Sequence, residues 1–133
     1  MIFVSGGNGQ FAKAVITTIL SAGRGDELAV GTREVNSAFA RELDGHGVSV
    51  RHADFRDPDL MQRALQGVEK ALFVPTYDSN DLRLQQNLNA LQAARAAGVR
   101  HVVYPSFLNA QSARVEHSRL VHYPTEQAIR ASG

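Results

Sequence analysis

The sequence predicts an α/β fold built on a doubly wound parallel sheet of five strands in the order 3-2-1-4-5. Short apolar runs alternate five times with longer segments of helical periodicity. This pattern is typical of strands that are covered by helices on both faces. A glycine-rich loop separates the first apolar run from the first helical segment. Because crossovers between parallel strands are right-handed, the alternation places the first strand near the centre of the sheet.

Composition and length restrict the class of protein. The 133 residues suffice for one domain, 1–133, with its own core. A formal net charge of +1 gives no reason to expect nucleic acid or an anionic membrane as a partner. The absence of cysteine excludes thiolate-bound zinc and thiol nucleophiles, and we expect no metal site. Since no apolar stretch approaches ~18 residues and no leader precedes the first strand, we expect a soluble, cytoplasmic protein.

The boundaries of the elements follow from glycines and helix-start signals. We expect strands at 1–5, 27–32, 48–53, 70–74 and 100–106, and helices at 10–22, 36–43, 58–66, 81–97 and 124–132. Asp57 and Pro58 form a strong helix start, since Asp57 caps and Pro58 suits the first turn. The segment before Pro124 is expected to be a loop or a short helix.

Apolar residues at helical spacing predict which faces of two helices are buried. In the first helix this face carries Phe11, Val15 and Ile19. In the longest helix the expected buried residues are Leu84, Leu88, Leu91 and Ala94.

The glycine loop lies between the first strand and the first helix. Gly6, Gly7, Gly9 and Ala12 satisfy two overlapping dinucleotide-binding templates, one that starts at Gly6 and one that starts at Gly7. Small residues let the backbone approach a pyrophosphate, and the helix N-terminus favours its negative charge. The loop therefore predicts a Rossmann-type nucleotide site, with a simple tight turn as the alternative.

The end of the second strand indicates which cofactor is bound. Sites selective for NAD carry an acidic residue there for the ribose 2′-hydroxyl, whereas NADP sites carry a basic residue for the 2′-phosphate. Arg33 stands at the right distance from the glycine loop, and a guanidinium pairs with phosphate in a bidentate fork. We expect NADP(H), although the adjacent Glu34 weakens the argument from charge, and a solvated Arg33 is the alternative.

Several motifs in one order resemble a known family over the whole chain. They are the loop Gly6–Ala12, Val-Gly-Thr-Arg (30–33), Ala-Asp-Phe (53–55), Leu-Gln-Gly-Val-Glu-Lys (65–70), Ala-Ala-Arg-Ala-Ala-Gly-Val (93–99) and Thr-Glu-Gln-Ala-Ile-Arg-Ala-Ser-Gly (125–133). Together they resemble the NmrA-like branch of atypical short-chain dehydrogenases/reductases, and within it the NAD(P)H:quinone oxidoreductases are most similar.

The resemblance implies a role for residues at the ends of all five strands. Along the pyrophosphate it implies Gly6, Gly9, Gln10 and Phe11; at the 2′-phosphate, Arg33; beside the adenine, Asp54 and Phe55; along the ribose and nicotinamide, Val74, Pro75, Thr76 and Ser106. Each of three positions has a structural alternative. Phe55 is equally well explained as core, Thr76 as a helix cap and Ser106 as a turn former.

Catalytic residues are harder to assign. The usual acid of short-chain dehydrogenases is a Tyr followed four residues later by a Lys, but Tyr123 is followed by Gln127. Without a nearby cation a Tyr keeps a pKa near ~10 and is a poor acid at neutral pH. Ser106, His122 and Tyr123 remain weak candidates, and a solvated surface His is the simplest expectation for His122.

The resemblance implies an oxidoreductase that passes hydride from NADPH to a small, quinone-like acceptor. A non-catalytic NADP(H)-binding redox sensor is the alternative, and a folded remnant without a ligand is a third. Proteins of this family are considerably longer, with a sixth strand and a small lobe over the substrate. We therefore expect either a fragment or a naturally short product, poorly active alone, whose open fifth strand favours a homodimer.

Overall fold

Five strands form one parallel sheet in the computed structural model, which describes residues 1–133. They are β1 (Ile2–Val4), β2 (Leu28–Thr32), β3 (Ser49–His52), β4 (Lys70–Leu72) and β5 (His101–Val103). The order β3-β2-β1-β4-β5 confirms the predicted topology, and all four pairings are parallel. The direction of winding reverses at β1, so a crevice forms at the carboxyl ends of the central strands.

Five α-helices connect and cover the strands. They are α1 (Gln10–Ser21), α2 (Ala38–Gly45), α3 (Pro58–Ala64), α4 (Asn80–Ala96) and α5 (Tyr123–Ala131). The predicted start of α3 is confirmed, because the Asp57 carboxylate accepts the Leu60 amide at 2.9 Å. A π-helical turn over Ser118–His122 leads directly into α5. None of the helices combines the length and apolar character needed to cross a membrane.

The core lies on both faces of the sheet. Successive residues of β1 point to opposite sides. Phe3 packs on one side with Met61 of α3 and Ala90 of α4. Val4 packs on the other side with Ile16 of α1. Burial of the central strands on both faces fixes their carboxyl ends, and with them the loops that follow.

All five strands are shorter than predicted, and the last two end two or three residues early. Strand β4 ends at Leu72 and β5 ends at Val103, whereas 70–74 and 100–106 were expected. A proline follows each strand within a few residues, at Pro75 and Pro105. Proline has no N–H to donate to the ladder, so regular pairing ends before it. The residues beyond Leu72 are therefore free to line the crevice as a loop.

The predicted buried face of α1 is off by one residue. Phe11 is 52% exposed, while Ala12 and Ile16 are fully buried. Val15 and Ile19 are only half-buried. The small side chain of Ala12 allows the helix to approach the sheet closely, which turns Phe11 towards solvent.

The buried face of α4 contains two polar residues and lacks two of the leucines that were predicted for it. Leu84 and Leu88 are half-buried rather than core residues, whereas Gln86 and Asn87 are buried. Leu91 and Ala94 are buried as predicted. The Gln86 and Asn87 side chains take part in hydrogen bonds with neighbouring elements, which offsets the cost of burying them.

Candidate functional site

A cleft of about 390 Å³ opens at the carboxyl edge of the sheet. Its walls are the loops that follow β1, β2, β3 and β4, together with one side chain of α4. The lining residues are Ser5, Gly6, Asn8, Gly9, Gly31, Thr32, Arg33, Glu34, Asp54, Phe55, Arg56, Val74, Pro75, Thr76, Tyr77, Asp78 and Gln86. Doubly wound sheets bind their ligands at this edge.

Two glycines hold the loop after β1 against the sheet. Gly6 has a φ of +67°, which L side chains rarely adopt. The Gly7 amide donates to the Gly31 carbonyl at 3.1 Å. A Cβ at Gly7 would lie 2.5 Å from Cγ1 of Val30, so this position has no room for a side chain. Gly6 and Gly7 are therefore needed for the shape of the turn.

Gly9 has a different role from the other two. It caps α1 in an extended conformation that any residue adopts, with φ −78° and ψ 150°. A Cβ there would meet only the Gly6 carbonyl oxygen, at 3.2 Å. The first helical hydrogen bond runs from the Lys13 amide to the Gly9 carbonyl, so the amides of residues 10–12 lack an acceptor in the helix.

The N-terminus of α1 is open to an anion. The helix cap makes no side-chain hydrogen bond, and the first turn contains no acidic residue. The free amides and the positive end of the 12-residue helix therefore have no competing negative group within their own turn.

Two acidic residues of the cleft accept hydrogen bonds from side chains of the protein. The Arg56 guanidinium donates to both carboxylate oxygens of Asp54, with an Nη2 to Oδ2 distance of 2.5 Å. These hydrogen bonds hold the pKa of Asp54 below its ordinary value. Asp78 accepts a hydrogen bond from the Gln86 amide at 3.1 Å. The charge of Asp54 is thus compensated by Arg56, and Asp78 is held by a neutral amide.

Arg33 and Glu34 differ in how they are held. The Glu34 carboxylate accepts a hydrogen bond from Nδ2 of Asn8 at 2.9 Å, and its backbone amide donates to Oγ1 of Thr32 at 3.1 Å. Arg33 is exposed, and its guanidinium makes no hydrogen bond or ion pair within the chain. It is the one charged side chain of the cleft that has no partner, so it is available to an anionic ligand.

The remaining predicted residues of the cleft lie on its floor and far wall. The Val74 amide donates to Oγ of Ser5 at 2.8 Å, which ties the loop after β4 to the end of β1. Thr76 is not a helix cap, because its hydroxyl donates to the side chain of Gln86. Phe55 is 6% exposed and packs edge-on against Phe73, so it is a core residue that also lines the cleft.

Three predicted cofactor residues do not line the cleft. Gln10 and Phe11 belong to the first turn of α1, and their side chains are exposed. Ser106 lies beyond β5, where its hydroxyl donates to the Glu126 carboxylate. Only the backbone of residues 10 and 11 remains a candidate for ligand contact. The other predicted positions, from Gly6 to Thr76, are brought together.

Several lining residues had not been assigned a role from the sequence. They are Ser5, Asn8, Gly31, Thr32, Glu34, Arg56, Tyr77, Asp78 and Gln86. Most of them are sequence neighbours of a residue that had been assigned, so a prediction that includes several residues on either side of each strand end would contain them. Gln86 has no such signal, because it lies inside a helix and reaches the cleft only through the fold.

His122 is buried, which contradicts the surface position expected for it. It is 7% exposed, and its Nδ1 lies 2.9 Å from the Tyr104 hydroxyl. Asn87 donates to the same hydroxyl at 3.1 Å. Burial lowers the pKa of His122, and the nearby Arg83 cation lowers it further. Burial also raises the pKa of Tyr104, so both groups of the pair are neutral at neutral pH.

The fold and the cleft define a Rossmann-type domain: a parallel sheet of order β3-β2-β1-β4-β5 with a glycine turn at its switch point. The chain belongs to the NmrA-like family, whose model matches residues 1–132. The resemblance found in its motifs is therefore confirmed.

Known relatives are similar over this entire chain. It is 33% identical to quinone oxidoreductase 2 of Escherichia coli K12, over 100% of this chain and 45% of that protein. The crystal structure of Citrobacter sp. triphenylmethane reductase complexed with NADP(H) matches with a TM-score of 0.91 and 34% identity, over 99% of this chain and 46% of that one. The NADPH complex of an Escherichia coli NADPH-dependent quinone oxidoreductase matches with a TM-score of 0.89 and 33% identity, over 100% and 46%. The chain thus spans slightly under half the length of these relatives.

Proposed function

We propose that this domain binds NADP(H) and serves an oxidoreductase that transfers hydride from NADPH to a quinone-like acceptor. The observation that carries the proposal is the pairing, in one cleft, of an open helix N-terminus with an unpartnered Arg33. These two features suit the two kinds of phosphate in the cofactor, the pyrophosphate and the 2′-phosphate. Relatives that share the fold have been crystallised with the same cofactor.

We infer how an extended dinucleotide would lie along the cleft residues. The amides of residues 10–12 would hold the pyrophosphate, and Arg33 would hold the 2′-phosphate. Asp54 and Phe55 would flank the adenine, and the segment 74–76 would lie along the nicotinamide. Gly9 lines this part of the cleft, and a Cβ there would occupy space next to the helix N-terminus.

An apolar acceptor suits the nicotinamide end of the cleft. Tyr77, Phe107 and Leu108 follow β4 and β5 and are exposed at the carboxyl edge of the sheet. Exposed apolar side chains at this edge are available for contact with an apolar ligand or with another part of a protein. We infer that a flat, weakly polar acceptor would find its contacts on this side.

Bound NADPH supplies the hydride, and this chain supplies binding and orientation. Reduction of a quinone to a hydroquinone consumes that hydride and one further proton. Water is the proton source that the arrangement favours, because Tyr123 has no lysine beside it and His122 is buried against Tyr104.

A non-catalytic NADP(H)-binding sensor is the second candidate. The lack of a free proton donor favours this candidate. The Ser106 hydroxyl donates to Glu126 and the His122 ring lies against the Tyr104 hydroxyl, so neither side chain is free to act on a substrate. In this case the cofactor would be bound but not consumed.

Cofactor titration and a turnover assay test the proposal and separate the two candidates. NADPH is titrated into the purified chain by calorimetry, and oxidation of NADPH is then followed with a soluble benzoquinone and without it. Binding with quinone-dependent oxidation supports the oxidoreductase. Binding without oxidation supports the sensor, and absence of binding contradicts both.

A further inference from the structure

We propose that Asn8 is a specificity-determining residue, which favours NADPH over NADH by holding the Glu34 carboxylate on the glycine loop. The inference rests on the proposed function, because it concerns the same cleft. It starts from an unusual juxtaposition: the lining contains a basic and an acidic residue in succession, Arg33 and Glu34, at the end of β2. Arginine suits the 2′-phosphate of NADPH, whereas a carboxylate suits the 2′-hydroxyl of NADH.

The structure shows which of the two side chains is already occupied. The Glu34 carboxylate accepts the hydrogen bond from Asn8 at 2.9 Å, and no such bond engages Arg33. The Glu34 amide is fixed to Oγ1 of Thr32, so its backbone is anchored at the start of the same loop. Asn8 belongs to the glycine loop, and its contact with Glu34 spans two loops that border one cleft. The bond from Asn8 is the only hydrogen bond that the Glu34 carboxylate accepts, and no ion pair engages it.

Release of Glu34 would affect the two cofactors in opposite directions. A mobile carboxylate next to the 2′-phosphate would repel it, since like charges a few ångströms apart are unfavourable. The same carboxylate would be able to accept a hydrogen bond from the 2′-hydroxyl of NADH. Asn8 therefore favours NADPH by keeping the acid engaged. The ratio of the two dissociation constants isolates this effect, because both cofactors have the same pyrophosphate and any contact of Asn8 with it cancels.

The test is a double-mutant cycle on that ratio. Kd for NADPH and for NADH is measured by calorimetry for the wild type, Asn8→Ala, Glu34→Gln and the double variant. We expect Asn8→Ala to reduce the preference for NADPH roughly threefold to tenfold, which is the range for loss of one ordinary hydrogen bond. Glu34→Gln is expected to increase the preference, and in that background Asn8→Ala is expected to change it no further.

Asn36→Ala is the matched control, since Asn36 is exposed near the same loop but does not line the cleft. It is expected to leave the preference unchanged. An unchanged ratio in Asn8→Ala overturns the inference while NADPH binding by the wild type upholds the proposed function. The inference is also overturned if Asn8→Ala lowers the preference for NADPH as much in the Glu34→Gln background as in the wild type, because the effect would then not pass through Glu34. Absence of binding of either cofactor to the wild type overturns the proposed function and this inference with it.

Discussion

At the scale of single residues, the glycines of the first loop have different roles in the fold and in the cleft. Gly6 and Gly7 are required by the backbone itself, through a positive φ and through the close approach to Val30. Gly9 has backbone dihedral angles that any residue adopts, although a Cβ there would make a tight contact of 3.2 Å with the Gly6 carbonyl oxygen. Its small size therefore serves the turn and also leaves space for a ligand in the cleft.

Replacement of Gly9 tests its role in the cleft. Gly9→Val is expected to abolish NADPH binding, because the side chain would occupy the space of the pyrophosphate, while the domain stays folded. Calorimetric titration and thermal unfolding measure the two effects. Gly45→Ala is the control, because a Cβ at Gly45 meets no atom within 4 Å and lies away from the cleft. Unchanged affinity in Gly9→Val would mean that the loop is only a turn.

The residue scale also shows what sequence reasoning can recover. Arg33, Asp54 and the segment 74–76 were found because they directly follow apolar runs, and strand ends of a parallel sheet meet at one edge. The placements of Ser106 and His122 failed for a common reason. Each side chain is held by a partner far along the chain, which is Glu126 for Ser106 and Tyr104 for His122. A local sequence pattern cannot predict such a distant partner.

At the scale of elements, the strand order was predictable and the helix faces only in part. Alternation of apolar runs and helices restricts the topology through the handedness of the crossovers. In α4, however, the buried face includes Gln86 and Asn87, which bind Thr76 and Thr125. Hydrophobic periodicity assigns such residues to the surface, because the spacing of apolar residues does not show which polar side chains have hydrogen-bond partners inside the protein.

The junction between the π-helical turn and α5 makes stability depend on pH. The pKa of His122 is lower in the folded chain than in the unfolded one. Above the unfolded value, ~6.5, both states are neutral and the full stability is present. As pH falls below that value the unfolded chain takes up the proton first, so the free energy of unfolding decreases until the folded pKa is reached.

His122→Gln is expected to reduce this loss of stability in acid. Urea unfolding at about pH 7.5 and about pH 5.5 measures the difference in free energy of unfolding, which should be smaller in the variant than in the wild type. His46→Gln serves as the control, because His46 is exposed. If His122→Gln keeps the pH dependence of the wild type, the burial of His122 does not control it.

At the scale of the whole molecule, the two edges of the sheet differ in how well they are protected from pairing with another strand. Strand β3 carries Arg51, whose guanidinium donates to the carbonyls of Ala64 and Gln66. A charged, engaged side chain of this kind discourages further pairing. Strand β5 forms the other edge, and its Val103 is 48% exposed. Its unpaired backbone groups offer a template for another strand.

This asymmetry predicts that the 133-residue chain self-associates through β5. Sedimentation velocity over a range of concentrations is expected to show a reversible dimer. Val103→Lys should shift the equilibrium towards the monomer, because a lysine on an exposed edge opposes pairing. Val115→Lys, at an exposed valine outside the sheet, should leave it unchanged. A chain that stays monomeric at all concentrations would contradict the prediction.

The central claim is that the cleft binds NADP(H) through the unpartnered Arg33, and paired cofactor titration tests it most directly. NADPH and NADH are titrated into the wild type, Arg33→Ala and the control Arg95→Ala, an exposed arginine of α4 outside the cleft. We expect the wild type and the control to prefer NADPH, and Arg33→Ala to lose roughly tenfold to hundredfold of that preference, since one charge-assisted pair with phosphate contributes ~1.5–3 kcal/mol. Equal preference in Arg33→Ala and wild type, or no binding of NADPH at all, would contradict the account.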